Sequence, residues 1–535
     1  MTKVLSRDGY TVENLLFESL PSYHVTGNLY RPAGNGPFPA ILLPCGHSRN
    51  GKAYKDYQKA AILLVRHGFI VLCFDPIGQG ERRQLIGDKT HRILNPRGEH
   101  NPLGVAPILL GRSLGAMMVW DGVRALDYLC SRSDVDRSKI GCTGNSGGGN
   151  LTSYLMAYDD RILAAAPGCF MTTHRRKNEK PGPGDAEQNL FAQLHYKFDH
   201  PDFILSRAPK PTLILSATYD YLPIEGAWEA FRQAKRAYTL LGKPSQVDLI
   251  ESNTKHGFSQ AMRERVTEFM ARWLQNRNIK VQQQEYEIFN DSDLQVTMDG
   301  QVRWLPGANS IFQVFERSLA DMESKRPVLT QDLVHKVTGI RKLNQLPSPR
   351  IETIGGRSPQ KLVFHPEPGI VLPALYWPIG ELEPILLALG DGMNSSVPEA
   401  QRLHELGHPV LIVEVRDTGE TKTRNWRFYG ADSYIGQMRG KSWVAMRTED
   451  LLVAARWLGK VSGQASVQLH ASGETVPAAI HAHYLEPCLF KGLSTSGGLE
   501  SWSSLMNNLN AHQHIHQAVH GALQYYDLPD IRRPE

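Results

Sequence analysis

The chain has 535 residues, 41% of them apolar and 21% charged, with a formal net charge of +5. That length implies two or three domains with ordinary cores. The small net charge, with no basic block beyond His174-Arg175-Arg176-Lys177, argues against a nucleic-acid partner, and no run of about 18 apolar residues offers a helical membrane span.

Residues 1–278 read as alternating strands and helices. Short apolar runs at 39–44, 69–74, 140–143 and 212–216 suit buried parallel strands. Helical patterns at 54–66, 111–130, 148–157 and 225–241 separate them, and a strand at 246–251 and a helix at 258–275 follow. The alternation predicts a doubly wound α/β sheet. Residues 279–365 break the rhythm, reading as a linker plus a small helical module with helices near 310–324 and 330–337. From 366 to 535 the pattern restarts. Leu375-Tyr376-Trp377-Pro378 echoes Leu29-Tyr30-Arg31-Pro32, and the run from His404 to Val413 echoes that from Arg66 to Leu72. Asp417-Thr418-Gly419-Glu420 echoes Gly78-Gln79-Gly80-Glu81, 450–458 echoes 121–129, and the run from Val467 to Glu474 echoes the strand that ends at Gly144. Five echoes in one order amount to an internal repeat. The second copy reaches residue 535 with no room for the later strands, so it is expected to be truncated.

The chemistry concentrates in Gly144-Asn145-Ser146-Gly147-Gly148-Gly149. This G-x-S-x-G turn lies between the run 139–143 and a helix pattern, the nucleophile elbow of α/β-hydrolases. A chain of this length holds on the order of 0.2 chance matches, and Gly111-Arg112-Ser113-Leu114-Gly115 is a second one. Pro107 disqualifies the strand that Ser113 would need, so Ser146 is the expected nucleophile. A serine hydroxyl needs a base and the base a carboxylate, in the chain order Ser, Asp, His. Asp220 follows the run 212–216, and His256 follows the next strand with Gly257 after it. The Gly147 N–H, with the His47 N–H in the loop after the run 39–44, is the expected oxyanion hole.

These segments, with Gly46-His47-Ser48-Arg49-Asn50-Gly51-Lys52, Asp75-Pro76-Ile77-Gly78-Gln79-Gly80-Glu81-Arg82 and His256-Gly257, make the first ~280 residues resemble α/β-hydrolases of the acetyl xylan esterase-like, carbohydrate-esterase group. The resemblance implies removal of small acyl groups, often acetyl, from an acylated carbohydrate, without a cofactor. Arg82, His100, Glu187 and Gln188, with Asp185, are then candidates for binding sugar hydroxyls, or equally salt-bridged loop residues. A general carboxylesterase or a serine peptidase of the prolyl-oligopeptidase type shares the elbow. A non-catalytic carbohydrate-binding protein is the reading from another class. In the second copy, His470-Ala471-Ser472-Gly473-Glu474 replaces both outer glycines of the elbow, so that copy is expected to be non-catalytic.

Cys45, Cys73, Cys130, Cys142, Cys169 and Cys488 show no paired spacing and are expected as small packing residues rather than disulfides or metal ligands. His512, His514 and His516 suggest a metal by count only. No signal-peptide pattern follows Met1, which leaves the compartment open between a cytoplasmic protein and one secreted after loss of a leader. A homo-oligomer is compatible with all of this.

Overall fold

The computed structural model describes residues 2–86, 96–180, 182–423 and 430–532. They divide into two compact units, Met1–Asn101 with Ser113–Val314, and Pro102–Arg112 with Phe315–Glu535.

In the first unit, β1 (Lys3–Arg7), β2 (Tyr10–Leu20), β3 (Tyr23–Pro32), β4 (Phe38–Pro44), β5 (Ile70–Phe74), β6 (Val135–Asn145), β7 (Ile162–Gly168), β8 (Thr212–Tyr219) and β9 (Val247–Lys255) form one sheet, in the order β1-β2-β3-β5-β4-β6-β7-β8-β9. Pairings from β1 to β5 are antiparallel. Those from β5 to β9 are parallel. This is the α/β-hydrolase fold, with one departure from strict strand–helix alternation. The first three strands are joined by two-residue turns, at Asp8-Gly9 and Pro21-Ser22, and strands so joined can only run antiparallel. Strand β7 carries three consecutive alanines, which signal a strand no better than a helix.

Alternate residues of the central strands face opposite sides. Ile41, Leu43, Val71 and Cys73 pack with helices Lys55–Arg66 and Gln260–Gln275 in one core. Cys45 and Cys73 lie there side by side, Sγ to Sγ 3.3 Å. Helix Leu114–Ser131 begins later than its pattern suggests, because Ser113 caps it by accepting from Ala116 N at 3.0 Å. Pro107 lies in a short helix, Val105–Leu109. Among the described residues no single helix is long and apolar enough to cross a membrane.

The stretch from 279 to 314 packs on the first unit, although its composition reads as a linker. Phe289 and Leu294 enter the core, and the Asn14 amide donates to Asp293 O and Gln295 O. A few buried anchors suffice where the intervening residues are polar, so the composition hides the attachment.

The strongest anchor is a buried carboxylate knot. Asp75, just past β5, accepts from Lys52 N at 2.9 Å, Glu81 N at 3.3 Å and Thr26 Oγ1 at 2.7 Å. The Lys52 ammonium lies 2.7 Å from Asp75 and 2.6 Å from Glu81. Glu81 in turn accepts from Val296 N and Thr297 N, both at 2.8 Å. A Cβ on Gly80, which has φ +53°, would strike the Asp75 carboxylate.

In the second unit, β10 (Arg350–Gly355), β11 (Gln360–His365), β12 (Leu372–Trp377), β13 (Ile385–Leu389), β14 (Val410–Val413), β15 (Val467–Ser472) and β16 (Phe490–Ser496) form a sheet in the order β10-β11-β12-β14-β13-β15-β16. That is the order of β1 to β7 in the first sheet. Among the described residues nothing corresponds to β8 or β9. Even the knot recurs in outline: Glu414, past β14, accepts from Met393 N and Glu420 N, both at 2.7 Å. Ser472, however, ends β15 with extended angles, φ −140° and ψ 156°, and its Oγ accepts from Gly390 N at 3.3 Å. A short turn, Gly473–Thr475, separates it from helix Val476–Leu485.

Candidate active site

Ser146 stands between β6 and helix Gly147–Tyr158 at φ +61° and ψ −122°. That region is unfavourable for a residue with a Cβ. It is held by close backbone packing around it. Ser146 N donates to Gly168 O at 2.9 Å. A Cβ on Gly148 would strike Pro44 O, and one on Gly149 would strike Gly168 O. The glycines of the motif are therefore space requirements of the turn.

His256 and Asp220 meet beyond the carboxyl ends of β9 and β8. His256 Nδ1 is 2.8 Å from Asp220 Oδ2 and 2.9 Å from Oδ1. The Asp220 side chain is 4% exposed and that of His256 24%. The carboxylate is thus enclosed, while the ring keeps an open edge. Leu222 N donates to Asp220 Oδ1 at 3.1 Å, and the Tyr221 ring lies 4.6 Å from that of His256. Cys169, which no motif marks, is packed beside them and donates to Gly257 O at 3.6 Å. Burial, with the Asp220 charge behind it, pushes its thiol well up, so it stays a neutral donor.

The loop after β4 lies against the elbow. The place of a Gly147 Cβ is 3.3 Å from the His47 ring and 3.4 Å from Gly46 Cα. Two residues that sequence inspection passes over fix this loop. Tyr57 Oη accepts from Gly46 N at 2.6 Å and donates to Asn145 O at 3.1 Å. Gln79 Nε2 donates to Gly46 O at 2.8 Å. In a planar trans peptide the carbonyl and the next N–H point opposite ways, so holding Gly46 O aims the His47 N–H. Among the described residues that N–H meets no acceptor. The Gly147 N–H opens its helix and has no intrahelical acceptor either.

Three of the residues expected to meet sugar hydroxyls, Arg82, His100 and Glu187, are buried. Arg82 is fully buried, 2.6 Å from Asp121 and donating to His24 O and Asp75 O. Its guanidinium belongs to the core. His100 and Glu187 are each 1% exposed and stand behind His47. His47 Nε2 is 3.1 Å from His100 Nδ1 and 3.2 Å from Glu187 Oε1, and His100 Nδ1 is 3.1 Å from Glu187 Oε2. Burial alone would lower His100, but the Glu187 charge overrides it and raises the imidazole to about 9. Burial alone would raise Glu187, and the two imidazoles hold it well below the usual range. Gln188 is partly exposed and donates to Glu187 Oε1 at 3.2 Å. Ser113, the second G-x-S-x-G serine, is spent as a helix cap.

Residues 110–279, a span containing Ser146, Asp220 and His256, match the family model described as prolyl oligopeptidase family. The chain is 27% identical over 298 residues to "Putative hydrolase YtaP" of Bacillus subtilis (strain 168), covering 51% of this chain and 91% of that protein. Among solved structures it is similar to "Methylesterase BT1017", with a TM-score of 0.44 and 24% identity over 60% of this chain and 69% of that one. It is also similar to a "putative acetyl xylan esterase" of Bacteroides fragilis NCTC 9343, with a TM-score of 0.40 and 21% identity over 47% of this chain and 68% of that one. By its fold and its matched span, the chain is a serine hydrolase of the α/β-hydrolase class.

Proposed function

We propose that the first unit hydrolyses small-acyl esters of a carbohydrate through an acyl-enzyme on Ser146. The observation that carries this reading is the contact of His256 Nδ1 with the enclosed Asp220 carboxylate, in a domain whose elbow serine is held in a strained turn. Asp220 fixes the tautomer and leaves Nε2 to take the Ser146 proton as Oγ attacks the ester carbonyl. The resulting oxyanion is met by the N–H groups of His47 and Gly147. His256 then protonates the departing sugar oxygen, and water repeats the sequence to free the acid.

A chain-length series tests the substrate class. p-Nitrophenyl acetate is expected to be turned over with a higher kcat/KM than the octanoate, and acetate to be released from at least one acetylated polysaccharide. A preference for octanoate overturns the carbohydrate reading. Cleavage of a peptide anilide without ester hydrolysis would favour the peptidase reading that the 110–279 match also fits.

We propose further that Ser472 is not a nucleophile. Its relaxed φ and its bond from Gly390 N lack the exposed, strained geometry of Ser146. Fluorophosphonate labelling with peptide mapping is expected to modify Ser146 alone. Label on Ser472, above all in a Ser146→Ala variant, would refute this.

A further inference from the structure

Polar side-chain atoms converge behind His47. His47 Nε2 faces three partners, His100 Nδ1 at 3.1 Å, Glu187 Oε1 at 3.2 Å and Asp185 Oδ2 at 3.7 Å. One ring nitrogen can donate to only one of them. His100 Nε2 is 2.9 Å from Ile77 O, which turns Nδ1 inward. A second partner that fixes the outer ring nitrogen is what a metal-ligating histidine needs. Glu187 Oε2 is fully buried, has no well-directed hydrogen bond, and meets His100 Nδ1 at 3.1 Å. A buried carboxylate oxygen left without a donor is costly unless something else meets it.

We propose that His47, His100 and Glu187, with Asp185 as a fourth ligand, form a binding site for a divalent cation of the zinc type. Donor atoms 3.1–3.2 Å apart are spaced as ligands are around an ion at ~2.0–2.1 Å. Two imidazoles and two carboxylates make a nitrogen–oxygen set that suits zinc better than calcium or magnesium. Once the ion has displaced the proton that His100 shares with Glu187, the set carries two negative charges, which a divalent ion balances. Two other groupings are weaker. Asp417, Asp432 and His516 already have the Arg447 guanidinium 3.5 Å from Asp417 Oδ2. Cys169, Asp220 and His256 hold a neutral thiol. The bound ion would tie together the loop after β4, the segment around His100 and the short turn Ala186–Gln188.

The test reads metal rather than turnover, so its failure is separate from that of the esterase reading. Chelator-treated full-length protein is titrated with Zn²⁺ by calorimetry. One ion per chain is expected, with affinity lowered at least ~10²-fold in Glu187→Gln and in His100→Gln. No binding by the wild type, or unchanged binding by both variants, overturns the site. Should the variants fail to fold, Co²⁺ is loaded into the wild type. Visible bands of a tetrahedral nitrogen–oxygen shell support the site, and a sulfur charge-transfer band or no uptake rejects it.

Discussion

Replacement of Ser146 by alanine is expected to lower turnover of p-nitrophenyl acetate by at least ~10³-fold, and His256→Ala by a similar factor. The two act as a unit: without Oγ no acyl-enzyme forms, and without the imidazole Oγ keeps its proton. The double variant should therefore be little worse than either single one. Asp220→Asn should cost as much or somewhat less, because the amide no longer selects the tautomer with Nδ1–H. The fold should survive all three changes, since no other element depends on these side chains for its core. Initial-rate assays with circular dichroism check this. Near-normal turnover by Ser146→Ala, together with loss in Ser113→Ala, would move the nucleophile to the serine that caps helix Leu114–Ser131.

Lys52→Met is expected to be the most damaging single change to stability, by about 3–5 kcal/mol. Lys52 is 3% exposed and its ammonium is the cation between Asp75, 0% exposed, and Glu81, 6% exposed. Burial would lower its pKa, but the two carboxylates override that and raise it, so it stays charged over the accessible range. Methionine fills the volume and leaves two buried anions facing each other. The second unit shows how a chain manages without the lysine. Met393 stands at the corresponding place against Glu414, and there Glu420 is exposed to solvent. Glu81 has no such outlet, because Val296 and Thr297 cover it. Denaturant midpoints of wild type and variant measure the difference, and a loss below about 1 kcal/mol would show that the knot relaxes or takes up water.

The parts of the site that were legible in the sequence are those with a local signature. The elbow declares itself by its glycines, because backbone oxygens leave room for nothing else at Gly148 and Gly149. Asp220 and His256 could be paired because each follows a strand in a known order. The cluster of His47, His100 and Glu187 had no such signature. Its members are 53 and 87 residues apart, and only the folded loops bring them together. Tyr57 and Gln79 were invisible for the same reason. For Arg82 the sequence leaves sugar binding and a salt bridge equally open, because its partner Asp121 comes from a distant helix. In the fold, the branched apolar strands are plain, while β7 with its alanines and the hairpins of β1 to β3 lack the branched apolar run that marks a parallel strand.

Gly46 is held at its nitrogen by Tyr57 and at its oxygen by Gln79, so the peptide planes on both sides of it are fixed. A residue whose two flanking peptides are both anchored leaves the His47 N–H little orientational freedom to lose in the proposed reaction. The cost of aligning the His47 N–H is met during folding, once, and is not charged again at every turnover. Dipoles so fixed need no reorganisation as negative charge grows on the carbonyl oxygen. In the proposed mechanism such dipoles would stabilise the oxyanion without first having to turn toward it.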